Sequence, residues 1–275
     1  MQFEIKLKAQ NKECLEYNYY YHLSAALYSI LQKHDPRLAQ DLHDGSSKSM
    51  LKMFVFSCIN SFPKPVHYSQ GIFSGMHLGN KIWMRFSSII PEIAYAMAEA
   101  LQKEKEIRIG NLVLQIQTIS LVTPVNFAPE MVYRPFGQAG MIVCKQAINK
   151  KNYFQYPDNP TPEMPSCKTL IAENLRHKLL RLKDIRKDLF ENILSTSGLT
   201  EARVRQQKIE VEFLPLSADR FYRTGLFTIK NTPIRAFCAP FKLTAPEPFH
   251  RILWECGAGN SNSQGFGFVT LGKQE

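Results

Sequence analysis

His43 stands in the polar run LHDGSSKS, where no apolar pattern gives an imidazole a packing role. A histidine exchanges protons near neutral pH, although on its own such a residue reads as a solvated loop group. Lys48 lies within the same run, and Lys52 opens KMFVFS four residues later; an ammonium at either place could steady negative charge on a phosphate. Tyr28, in ALYSIL, keeps helical spacing beside Leu27 and Leu31, so packing is its default role and proton chemistry the alternative. Near the other end, Gly257-x-Gly259 and Gly265-Phe-Gly267 bracket five residues. Glycine there admits positive φ and lets another chain approach the backbone N–H groups closely. No GK[ST] follows, and a helical pattern precedes the glycines while a strand pattern follows, so neither a nucleotide phosphate loop nor a dinucleotide fingerprint is indicated.

Metal chemistry finds little support. Cys14, Cys58, Cys144, Cys167, Cys238 and Cys256 form no CxxC pair, and the histidines show no HxxxH or HExxH spacing. No carboxylate cluster suggests a two-metal nuclease. The expectation is reduced thiols, no metal and no cofactor.

The elements that must position these residues follow from periodicity. Phe3, Ile5 and Leu7 alternate as a strand, then Leu23, Ala26, Leu27 and Ile30 keep helical spacing until Asp35-Pro36 interrupts it. KMFVFS and KIWMRFS read as strands, Pro91 opens a helix carrying Ile93, Met97 and Leu101, and residues 107–122 form strands turned at Gly110-Asn111. A second set follows: a strand at Met141 to Lys145, the proline-rich connector YPDNPTPEMP, and a long helix over 168–194. Strands at 209–213, 221–230 and 234–243, a helix at 248–255 and a strand at 265–271 complete it. Each set is βαββαβ. The sequence therefore predicts an α+β protein of two tandem ferredoxin-like domains, residues 1–130 and 131–275.

Charge points to the partner. With 34 basic and 24 acidic residues the formal balance is +10, which favours a polyanion through counterion release. The run 168–187 holds seven Lys and Arg against Glu173 and Asp184. Its stripe of Leu175, Leu179, Leu182, Leu189 and Ile193 is expected to leave Arg176, Lys178, Arg181, Lys183, Arg186 and Lys187 toward its flanks and solvent. Arg220, Arg223, Lys230 and Arg235 interleave with Phe221, Tyr222, Phe227 and Phe237, so cations can hold phosphates while aromatic faces stack on splayed bases. Alternation turns half of those aromatics inward. The N-terminus lacks a signal-peptide apolar core, and no run approaches the ~18 apolar residues of a membrane span; the expected location is the cytoplasm.

The segment ECGAGNSNSQGFGFV resembles the C-terminal signature of the RAMP superfamily of RNA-binding proteins, specifically of the CRISPR-associated endoribonucleases that process repeat transcripts. The run RTGLFTIKNTPIRAFCAPFKLTAPEPFHRILWECG is similar to that family's paired strands, hairpin and terminal helix, and ALYSIL, LAQDLHDG and KMFVFS extend the likeness to the N-terminal half. The chain departs from the family at Gly137-Gln138, where Ser-Pro is common, and at Ala258, where a bulkier apolar residue often stands. The resemblance implies metal-independent cleavage by the neighbouring 2′-hydroxyl, leaving a 2′,3′-cyclic phosphate and a 5′-hydroxyl. Carried over by position, it implies a catalytic trio of Tyr28, His43 and Lys52, with Lys48 the rival cation. RNA contacts are expected at Gly257, Gly259, Gly265, Gly267, Arg220, Arg223, Lys230 and Lys48. The implied partners are the repeat of CRISPR precursor RNA and a CRISPR effector complex, with the chain acting as a monomer or homodimer and away from membranes. The rivals are a non-catalytic RNA-holding subunit and a general RNA-binding protein.

Overall fold

The computed structural model describes residues 1–12, 14–43, 52–62, 66–69, 72–137, 140–146, 152–158, 164–229 and 231–272. In the N-terminal half the main elements are β1 (Gln2–Ala9), α1 (Tyr20–His34), α2 (Pro36–His43), β2 (Phe54–Phe56), β3 (Lys81–Ser88), α3 (Pro91–Glu104), β4 (Glu106–Ile109) and β5 (Leu112–Leu121). The antiparallel order is β2-β3-β1-β5-β4, with short strands between β2 and β3 forming an inserted excursion. Phe3, Ile5 and Leu7 are buried, as the alternation requires, and α1 and α3 pack on each other and on the sheet.

The C-terminal half repeats the plan. Its elements are β6 (Glu130–Pro135), α4 (Cys167–Ile185), α5 (Lys187–Thr196), α6 (Glu201–Gln206), β7 (Glu210–Phe213), a hairpin of β8 (Arg223–Ile229) and β9 (Thr232–Cys238), β10 (Phe241–Thr244), α7 (Glu247–Cys256) and β11 (Val269–Leu271). The sheet order is β7-β10-β6-β11, the same arrangement as β2-β3-β1-β5. Each half is a ferredoxin-like βαββαβ unit with an excursion between its second and third strands.

Four sequence expectations change in detail. Asp35-Pro36 interrupts α1, but a second helix follows at once. Proline loses no helical hydrogen bond at a first-turn position, and the Asp35 carboxylate accepts from the Leu38 N–H at 3.0 Å, so a second helix starts and His43 is its last residue. The second sheet begins at Glu130–Pro135; Met141 and Ile142 make only isolated bridges to Phe237 and Asn260, and Cys144–Gln146 pairs separately with Asn152–Phe154. The long basic helix breaks at Arg186, at φ −144° and ψ 80°, whose guanidinium pairs with Asp188 and, across the halves, with Glu92. The strand expected over 234–243 divides because Pro240 cannot donate to a ladder.

Candidate active site and nucleic-acid interface

The connection from α7 to β11 runs between the two halves. Gly257, Gly259, Gly265 and Gly267 have φ of 79°, 65°, 86° and 76°, in the region that side chains disfavour. Each is also closely approached: a Cβ would lie 2.0 Å from the Ala258 carbonyl oxygen at Gly267, 2.3 Å from that of Ile142 at Gly259, and 2.8 Å from the Phe56 ring at Gly265. All four are buried, and the N–H groups of Gly257, Gly265 and Gly267 already donate to Leu253, Asn262 and Gly140 carbonyls. The glycines thus shape the loop and seat it on α1 and β2, where the sequence suggested backbone exposed to RNA. The half-exposed residues of the loop are Asn260, Ser261 and Gln264.

Asn262 staples this loop. Its Nδ2 donates to the Ala258 and Phe266 carbonyls, both at 3.0 Å, and its Oδ1 accepts from Lys178 Nζ at 2.8 Å. Lys178 also donates to Gly257 O at 2.7 Å and Gly259 O at 3.1 Å. Helical spacing placed Lys178 toward solvent; the loop covers it, leaving the residue 6% exposed. Burial lowers its ammonium pKa to about 8.

The loop brings the ends of the chain together. Ser24 Oγ, on α1, donates to the Ser263 carbonyl at 2.9 Å. One turn further along α1, the buried Tyr28 hydroxyl faces the Ser263 side chain without closing a hydrogen bond of standard geometry. Burial raises the phenol pKa well above its usual value, so Tyr28 stays protonated and suits a donor's role, not a base's. Lys52 Nζ sits 4.9 Å from the Tyr28 ring centroid, a cation–π contact that orients an exposed ammonium. Lys52 and Met53, Asn174 and Lys178 of α4, and residues 259–263 line a cavity of about 210 Å³. The Oδ1 of Asn174 is buried and has no hydrogen-bond partner among the described residues. The contributions of Asn174 and Lys178 were not read from the sequence, where both looked like ordinary polar positions of an amphipathic helix.

Of the expected trio, Tyr28 and Lys52 converge. His43 ends α2, and its side chain lies outside the described atoms; Lys48 and Lys230 lie outside the described residues. Arg220 is exposed in a tight turn closed by bonds between Ser217 and Arg220. Arg223, also exposed, donates to the Gly137 carbonyl at 2.6 Å and so ties the hairpin base to the end of β6. Phe227 is buried, stacked 5.0 Å from Tyr17 and edge-on to Tyr20 and Phe266, whereas Phe221 and Leu226 remain 44% and 58% exposed. The departure at Gly137 has a physical cause: φ is 73°, and a Cβ would lie 1.9 Å from Cys58 Sγ.

Two ferredoxin-like units of identical strand order, with a buried glycine-rich loop packed between them, define a tandem ferredoxin-like fold. The chain belongs to the Cas6 family: residues 14–120 match the family model described as CRISPR-associated protein Cas6, N-terminal, and residues 136–271 match CRISPR associated protein Cas6, C-terminal. A relative from Methanocaldococcus jannaschii, CRISPR-associated endoribonuclease Cas6 1, is 24% identical over 98% of this chain and 92% of its own length. CRISPR-associated endoribonuclease Cas6 of Pyrococcus furiosus is 28% identical over 65% of this chain and 74% of its own. Among solved structures, one from a Cas6-related gene of Pyrococcus furiosus superposes with TM-score 0.75 at 19% identity, covering 100% of this chain and 99% of its own. One described as an RAMP protein binding different RNA substrates gives 0.73 at 20%, covering 99% and 100%.

Proposed function

We propose that this chain is an endoribonuclease that binds the repeat of CRISPR precursor RNA and cuts it to release guide RNAs. The observation that carries this reading is that Lys52, held over the Tyr28 ring, and the glycine-rich loop line one cleft between the halves. The relatives named as CRISPR-associated endoribonucleases support the reaction class.

In this reading the 2′-hydroxyl next to the scissile phosphate attacks it and the 5′-oxygen leaves, giving a 2′,3′-cyclic phosphate and a 5′-hydroxyl. His43 exchanges protons with the reacting oxygens, because histidine is the side chain suited to that task near neutral pH. Tyr28, kept protonated, donates a hydrogen bond to the phosphoryl group, and Lys52 balances the charge that gathers there. Lys48 follows Lys52 as the alternative cation. Asn260 and Ser261 offer polar side chains to the RNA, while Gly257, Gly259, Gly265 and Gly267 hold the loop that presents them. Arg220 and Lys230 contact phosphates, and Arg223 holds the hairpin in place.

The test is cleavage of a cognate repeat RNA in EDTA beside the same RNA with one 2′-deoxy substitution at the cut. Cleavage of the first and protection of the second is the expected result; dependence on magnesium overturns the mechanism.

A further inference from the structure

Lys178 lies in α4 of the C-terminal half, far in sequence from Tyr28, His43 and Lys52. Its Nζ meets Gly257 O at 2.7 Å, Asn262 Oδ1 at 2.8 Å, Gly259 O at 3.1 Å and, more distantly, Cys256 O at 3.5 Å. An ammonium has three protons, so these acceptors satisfy it. None of them carries a formal charge. A buried cation held by neutral dipoles is costly, and a methionine would fill a similar volume without that cost. What a lysine adds is charge, in a low-dielectric setting where charge acts at longer range. Its other neighbour is the cavity it shares with Lys52.

We propose that Lys178 is a positioning residue of the cleavage centre, whose buried, uncompensated ammonium fixes the carbonyls of the glycine-rich loop and directs a positive field onto the phosphate bound beside Lys52. The inference rests on the Lys52–Tyr28 cleft being the cleavage centre. The RNA phosphate supplies the counter-charge that is lacking there among the described residues.

Several titratable groups surround Lys178. Cys256 of α7 is kept protonated by burial, which pushes its thiol up to about 12. Tyr28 of α1 is likewise raised by burial, Lys52 stands across the cavity, and Glu255 is engaged by Arg251 and by the N-terminal ammonium of Met1. Because burial lowers the folded-state pKa of Lys178 to about 8, its charge is lost as pH rises through that value, while the unfolded chain keeps it to roughly 10.4. Between those values the unfolded state binds more protons, so this group makes stability rise with pH while the field on the cavity falls. Unfolding and loss of activity therefore run in opposite directions across the window.

Lysine-selective NMR of the wild-type protein, with Lys178 assigned by Lys178→Arg, reads its titration free and bound to 2′-deoxy repeat RNA. The expected result is a midpoint raised by about one unit on RNA binding, a tenfold change in proton affinity. Lys178→Met is expected to bind the 2′-deoxy RNA about tenfold more weakly than wild type at about pH 7, the loss that a one-unit shift implies by linkage, and at saturating enzyme to cleave about tenfold more slowly in single turnover, without the alkaline fall in rate; Lys178→Arg should recover part of that rate. A midpoint unmoved by RNA overturns the proposal, even if Lys178→Met fails to fold; so does a Lys178→Met enzyme of wild-type rate. Lys52→Ala separates the two readings. Normal cleavage by Lys52→Ala removes the centre itself, whereas an inactive Lys52→Ala with an unmoved Lys178 midpoint removes only the role of Lys178.

Discussion

The two halves solve the same connection in different ways. In the N-terminal half α3 ends at Lys105, at φ 65°, and the chain enters the β4–β5 hairpin, turned at Gly110. A Cβ on Gly110 would meet nothing within 4 Å. In the C-terminal half α7 ends at Gly257, and the chain takes a buried path through four positive-φ glycines before β11. The topological position is shared, but only the second connection lies between the halves. At Gly110 glycine is needed for its backbone angle alone; at Gly267 it is needed for the angle and for space. One connection forms the edge of a sheet, and the other carries polar residues into the cleft with Lys52.

That contrast can be broken at several points. The largest effect should come from the N-terminal half: His43→Ala is expected to reduce cleavage by roughly 10²–10⁴-fold in single-turnover assays. Binding of 2′-deoxy RNA should stay near wild type; retained cleavage would show that His43 takes no part in the chemistry. Next comes a pair of glycine replacements compared by thermal unfolding. Gly267→Ala should cost about 3 kcal/mol, from backbone strain and a collision with the Ala258 carbonyl, while Gly110→Ala should cost about 1 kcal/mol from its angle alone. Equal losses would erase the distinction between the connections.

Arg220→Ala tests the outer surface of the C-terminal half. It should weaken repeat RNA binding and reduce the slope of log affinity against log salt by about 1, leaving the rate at saturation unchanged. The smallest effect concerns the join at Arg186, whose guanidinium holds the Asp188 carboxyl down at about 2 and also pairs with Glu92. The folded-state value of Asp188 is depressed, so its stabilisation is present above the ordinary carboxylate value of about 3.9 and fades as pH falls toward 2. The gap in melting temperature between wild type and Arg186→Met should narrow over the same interval.

Much of the fold was legible along the chain because local patterns carry it. The alternation of Phe3, Ile5 and Leu7, the helical spacing of Leu23, Leu27 and Ile30, the proline opening α3 and the Gly110 turn each state a local geometry that tertiary packing kept. Elsewhere two local signals compete: Pro36 ends one helix and begins another, and Met141 to Lys145 is more strand-like in sequence than the segment ending in Pro135, which pairs in the sheet. The glycines announced a special backbone, yet their spacing could not say whether that backbone faces a ligand or the protein's own interior. Lys178 was misplaced for a related reason. Helical periodicity reports only which side of a helix is apolar, and a flank position is solvent-exposed only if no loop crosses it.

By itself the sequence determined two βαββαβ units, an excess of basic over acidic residues, and which side chains could exchange protons or carry charge, since periodicity, charge and side-chain chemistry are written residue by residue. Only the tertiary structure decided that Gly257 to Gly267 would close over Lys178 and bring Ser263 to Tyr28. Those contacts join positions 79 to 84 residues apart at Lys178 and more than 230 apart at Ser263, and they depend on backbone close approach and shared burial, which no local pattern encodes.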